Sequence, residues 1–103
     1  MRYPRQVPIQ GFARPELARF FEDGDVPRRA GWANIASVVA RKLDMLEYAH
    51  TLSDLRSPPA NRLEALHGAL GGCHSIRVND QWRVVFRWTP LGPEDVDVVD
   101  YHA

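Results

Sequence analysis

The sequence predicts an α+β domain: two helices from its N-terminal half packed on one face of a small, mainly antiparallel twisted sheet, in the order β-α-α-β-β-β. Apolar residues recur at three- and four-residue steps up to about residue 48, which is the helical period. From Leu63 onward they alternate instead, as strand residues do. No linker or low-complexity tract interrupts the 103 residues. One domain over 1–103 is expected, with residues 1–7 as a flexible N-terminal extension.

Each element has a local cause. Residues 7–12, VPIQGF, read as a short first strand with Ile9 and Phe12 as its apolar positions. RPELARFFEDGD then reads as a helix: Pro15 suits the first helical position, Leu17, Phe20 and Phe21 form the apolar stripe, and Gly24 ends it. A longer helix begins near Pro27 or after Gly31, because Trp32, Ile35, Val39, Leu43 and Leu46 share one face. Arg41, Lys42, Asp44 and Glu47 fall on the other, which reads as solvated. Trp32 reads as core or as a partner surface. The Pro58-Pro59 pair breaks the helix. Leu63, Ala65 and His67 then alternate with Arg62, Glu64 and Leu66 ahead of a Gly71-Gly72 turn.

The stretch HSIRVNDQWRVVFRW, residues 74–88, reads as a hairpin. Ile76 and Val78 must share a face with Trp82, Val84, Phe86 and Trp88 if all are to be buried. That requirement selects a three-residue loop, Asn79-Asp80-Gln81, and sets Arg77 across from Arg83 on the polar face. Arg87 joins them two pairs on. A seven-residue loop, TPLGPED, leads to the last strand, VDVVDYH. Pairing Trp88 with Val96 sets Arg87 opposite Asp97 and Arg83 opposite Tyr101. Arg77, Arg83 and Tyr101 then form a row on one exposed face, with His102 at its rim. Facing arginines repel, and a planar oxyanion such as an RNA phosphate would relieve them. Asp97, Asp100 and Glu64 are the acids that would do the same in an ordinary surface network.

Thirteen basic residues balance thirteen acidic ones, so net charge makes no case for a polyanion partner. Twelve of the thirteen are Arg, which suits forked contacts to phosphate or carboxylate; a GC-rich genome gives the same bias. A single cysteine, Cys73, forms no internal disulfide. The opening residues lack an apolar run of signal-peptide length, and no stretch approaches a membrane span. A cytoplasmic protein with no membrane partner is expected.

LEYAHTLSDLRSPPANRLEALHG, HSIRVNDQWRVVFRW and the terminal VDVVDYH resemble the HigB toxins of the RelE/ParE superfamily, from type II toxin–antitoxin systems. The resemblance runs from about Ile9 to His102. It implies a RelE-like fold and a metal-independent endoribonuclease that cuts messenger RNA in the ribosomal A site. It also implies a helix-turn-helix HigA-type antitoxin as partner, with operator DNA reached only through that antitoxin. Position by position, Arg83 matches the arginine after the motif tryptophan, and Asp100, Tyr101 and His102 match the terminal Asp-Tyr-His. Arg77 matches the arginine of the SIR motif. Other HigB toxins place their second arginine where this chain has Asn79. The chain departs from the pattern at His67, where lysine is usual, at Ala69, Leu70 and Cys73-His74, and at Glu64, whose position can hold an active-site histidine. Each departure removes positive charge or a proton carrier.

Metal-free RNA cleavage needs a base for the 2′ proton, positive charge on the phosphorane and an acid for the leaving 5′ oxygen. The resemblance gives His102 proton transfer, since imidazole titrates near ~6.5. It gives Arg83 and Arg77 the phosphorane, and Tyr101 base stacking or phosphate orientation. His67, Asn79, Asp100 and Arg87 are expected to contact substrate. No cofactor is expected, and His67, Cys73 and His74 lack zinc-site spacing. Two other readings stand beside this one: a ParE-like toxin that binds DNA gyrase without cutting RNA, and an attenuated toxin acting mainly through antitoxin binding.

Overall fold

The computed structural model describes residues 8–101. The first seven residues, and with them the expected extension, lie outside the described residues, as does His102.

Helix α1 spans Pro15–Asp23. Proline at its start sacrifices an amide that has no helical partner anyway. Gly24, at φ 80°, stops it by donating its N–H to the Phe20 carbonyl at 2.8 Å. Leu17 and Phe20 are buried. Helix α2 spans Ala36–Tyr48, entered through a 3-10 turn at Ala33–Ile35. Its Val39, Leu43 and Leu46 are fully buried, and Trp32, just before it, packs edge-on against Phe20. Trp32 is core.

Two expectations fail around α2. The helix ends at Tyr48, well before the prolines. A 3-10 turn, Leu52–Arg56, comes next, started by a reciprocal cap. Asp54 Oδ2 accepts from the His50 and Thr51 amides at 2.9 and 3.0 Å, while Thr51 Oγ1 accepts from the Asp54 amide. Those amides hold the Asp54 carboxyl below its usual pKa. Nor is Lys42 solvated. It is 8 % exposed, and its Nζ donates to Asn61 Oδ1 at 2.7 Å. Asn61, fully buried, uses its Nδ2 to donate to the Leu55 and Ser57 carbonyls. The segment after α2 folds back over the helix's polar side, which helical periodicity cannot foresee. Glu47, on the same side, accepts from the Ile9 amide at 2.9 Å.

The sheet is antiparallel in the order β1 (Glu64–Ala65), β2 (His74–Arg77), β3 (Trp82–Thr89), β4 (Gly92–Asp100). The expected first strand at 7–12 does not form a ladder within its described part. It leaves one parallel bridge, Phe12 to Val96, with hydrogen bonds from Gln10 N to Pro93 O and from Ala13 N to Val96 O. Pro8 has no N–H to contribute, and Gly11 has no side chain to pack, so the segment runs along the edge of β4 without extending the sheet.

The β2–β3 hairpin has the expected register, with Ile76 opposite Val84 and Arg77 opposite Arg83. The β3–β4 register differs. Thr89 pairs with Gly92, so the connection is a two-residue turn at Pro90-Leu91, not a seven-residue loop. Trp88 faces Pro93, Arg87 faces Glu94, and Arg83 faces Val99. A β-bulge lies between the Arg87–Glu94 and Val85–Asp97 pairs, with Asp95 at φ 53°. Asp tolerates this left-handed conformation better than most residues. The bulge has a clear cause. Pairs near the turn put Pro93 in the core, while the strand's far half must bury Val96 and Val98. An unbroken alternation from 93 cannot do both.

Ile76, Val84, Phe86 and Val96 form the sheet's buried face against Val39, Leu43 and Leu46. Trp82 and Trp88 are half-buried at its margin.

Candidate active site

The residues expected to act on RNA separate into two places. At the β2–β3 turn, the opposed pair Arg77 and Arg83 meets the end of β4. Asn79 shapes this turn: its Oδ1 accepts from the Gln81 and Trp82 amides at 2.9 and 2.8 Å. Two further bonds fasten the end of β4 to it. The Tyr101 amide donates to the Gln81 carbonyl at 2.6 Å, and Gln81 Nε2 donates to Asp100 Oδ2 at 2.9 Å. Arg77, Asn79, Arg83, Asp100 and Tyr101 are thus gathered at one end of the sheet.

Tyr101 is not the direct partner of Arg83, since Val99 is. It lies two residues further along the same face, and that diagonal is short enough for contact. The Arg83 Cζ sits 4.3 Å from the centre of the Tyr101 ring. The expected meeting of these residues occurs by another route.

Arg83 is not on an open face. It is 8 % exposed. Its Nη1 donates to the carbonyls of Asn79 and Trp82, while its buried Nε has no hydrogen-bond partner among the described residues. No carboxylate forms an ion pair with it there. Of the acids that could neutralise it, Asp97 pairs with Arg14 at 3.3 Å, Asp100 Oδ2 accepts from Gln81 Nε2, and Asp80 pairs with Arg77. Burial of a guanidinium without a carboxylate is costly, and the cost falls when an anion arrives.

Two cations with no signal in the sequence lie close by. The hydrogen bond and charge of Arg77 hold Asp80 below its usual pKa, with Arg83 and Arg62 adding smaller effects. Burial lowers the pKa of Lys42, helped by the charges of Arg41 and Arg77. Arg62, Arg77 and Arg83 therefore converge around one solvent-exposed carboxylate, Asp80, and Lys42 lies within electrostatic reach of Arg77. The spacing of Lys42 and Arg62 gives no hint of this. It is a product of the fold-back of residues 49–62.

His67 and Arg87 are not part of this cluster. Leu66, beside His67, bonds to Cys73 at the opposite end of β2. A side chain on Gly72 would come within 2.7 Å of Arg87 Nη1, which places that guanidinium at the same far end. Among the described residues, no group of three or more His, Cys, Asp or Glu gathers as metal ligands do.

Residues 10–102 match the family model of HigB-like toxins, described as RelE-like toxins of type II toxin–antitoxin systems. The chain belongs to the HigB-like toxin family. It is 47 % identical over 72 residues to Toxin HigB-1 of Vibrio cholerae serotype O1, a match covering 70 % of this chain and 75 % of that one. An uncharacterized protein of Haemophilus influenzae is 43 % identical over 72 residues, covering 70 % of each. The α+β architecture, two helices packed with an antiparallel sheet, agrees with the RelE-like fold of this family. Toxins of this family work in pairs with antitoxins. No helix among the described residues is long and apolar enough to cross a membrane.

Proposed function

We propose that this HigB-like toxin is a ribosome-dependent messenger RNA endonuclease whose active site is the turn end of the sheet. One observation carries the reading: Arg83 is buried against Tyr101 with no carboxylate partner among the described residues, directly opposite a second arginine. That arrangement suits a bound phosphodiester.

In this reaction the ribose 2′-hydroxyl attacks the adjacent phosphorus, a 2′,3′-cyclic phosphate forms, and the 5′ oxygen leaves with a proton. Arg83 stabilises the phosphorane, with Arg77 opposite it. The Tyr101 ring orients the phosphate or stacks on a base. His102, next in the chain, moves the proton. Asn79 and Asp100 hold the turn and the strand end in register, so their contribution is positional. His67 and Arg87 contact RNA beyond the cleavage point. The A site supplies in-line geometry, which lets few groups suffice. A helix-turn-helix antitoxin silences the toxin and carries it to operator DNA. A neutral chain has little to hold free RNA, and Asp80 already sits on Arg77, so an attenuated activity is the second reading.

The test is cleavage by the purified protein of messenger RNA, naked and on programmed ribosomes. Cuts within codons on ribosomes only are expected. Efficient cutting of naked RNA at physiological salt would refute the ribosome requirement, and no cutting in either would leave the binding readings. If His102 is the base, wild-type rates fall as pH drops through its pKa, and His102→Ala loses that limb.

A further inference from the structure

A groove of about 490 Å³ opens where α1 and the segment before α2 meet the outer edge of β4. Four arginines line it: Arg14, Arg19, Arg28 and Arg29. Arg14 is committed to Asp97, but Arg19, Arg28 and Arg29 are exposed and form no ion pair among the described residues. Glu16 is the one other acid in the lining, in a chain that is neutral overall. The floor is apolar, built from Leu17, Pro27, Ala30, Trp32 and Val98. Along one side runs the edge of β4, last in the sheet order. Among the described residues, the N-terminal segment bonds to that edge only as far as Val96. The next outward amide, Val98 N, is capped by Asp97 Oδ1 at 2.9 Å and not by a neighbouring strand.

We propose that this groove binds an acidic, amphipathic peptide segment of a protein partner, its apolar side chains on the floor and its carboxylates on the arginine rim. Three features favour peptide over RNA. Trp32 is buried, so no aromatic ring is offered for base stacking. Glu16 stands in the lining and would repel a phosphate chain, whereas a peptide has apolar contacts that compensate. An open strand edge beside an apolar trough is also the usual setting for adding an extended peptide. Tyr101 follows Val98 by three residues, just past the end of β4, so an occupant would end roughly 10 Å from the candidate active site. The groove can take such a peptide whether or not that site is a nuclease.

The test uses fluorescence anisotropy with the whole chain. The probes are a labelled peptide alternating Glu with Leu and Val, its counterpart with Gln for Glu, and a labelled oligouridylate. The Glu peptide should bind at least about tenfold more tightly than the Gln peptide. The double variant Arg28→Glu/Arg29→Glu should weaken the Glu peptide at least about tenfold, while Arg41→Glu/Arg56→Glu, with the same change in net charge, should alter it by no more than about twofold. Thermal unfolding checks that both variants fold, as expected for exposed positions. Equal loss in the two double variants, indifference to Glu against Gln, or no peptide binding at all would overturn the proposal. So would groove-dependent binding of oligouridylate without peptide.

Discussion

Replacing Arg83 with alanine should damage both stability and activity, and the two losses can be separated. The guanidinium holds the β2–β3 turn through the Asn79 and Trp82 carbonyls, the second at 3.2 Å, and lies over the Tyr101 ring. A hydrogen bond from a charged donor contributes roughly 1.5–3 kcal/mol, and the cation–π contact about 0.5–1 kcal/mol. Relief of the burial of a charged group offsets part of this. A net loss of about 2 kcal/mol is expected, or about 8–16 °C in unfolding temperature for a domain of this size. Arg77→Ala removes an ion pair to an Asp80 side chain that is 93 % exposed, and should shift the unfolding temperature by no more than about 2 °C. In single-turnover cleavage on programmed ribosomes, well below both unfolding temperatures, Arg83→Ala should be slower by about 100-fold, the usual cost of one transition-state donor. An Arg83→Ala protein that unfolds at the wild-type temperature would refute the turn-holding role. A rate loss no greater than the unfolded fraction would refute the catalytic one.

Asn61→Ala should cost about 3 kcal/mol in denaturant unfolding, because it strands the Lys42 ammonium and two buried carbonyls together. Lys42 also gives a pH signature. Its pKa is lowered in the folded chain, so between that value and 10.5 the unfolded chain binds more protons and stability rises with pH. Lys42→Met should flatten that rise, as followed by unfolding at a series of alkaline pH values. Asp80→Asn frees Arg77 and should tighten binding of single-stranded RNA with a steeper salt dependence, measured by filter binding. Unchanged affinity would show that Asp80 does not compete with phosphate.

The β2–β3 hairpin was legible because both strands carry unbroken alternation, and only one loop length keeps Ile76, Val84 and Phe86 on one face. β4 was not, because its alternation changes phase at Asp95. A longer loop reconciles the pattern without a bulge but gives the wrong partners. Arg83 and Tyr101 do meet, though along a diagonal and not as a direct pair. A shared strand face groups Arg87 with them and the family resemblance groups His67, but both lie at the other end of the sheet. Lys42 and Arg62 escape notice because their roles depend on the chain folding back over α2. Burial of Arg83 likewise depends on neighbours far away in sequence, such as Tyr101.

The bulge also determines where this chain tolerates a change in length. Asp95 is the surplus residue of the ladder. Deleting it would leave a regular strand in which Val96, Val98 and Tyr101 keep their faces and every pair from Val85 to Trp82 keeps its partner. A deletion three residues later has no such slack. It would turn the tyrosine away from Arg83 and set Asp100 opposite that arginine in place of Val99. Length changes are therefore absorbed upstream of residue 96 and transmitted in full downstream of it. The same strand serves as an adjustable connection at one end and a fixed mount for the candidate active site at the other.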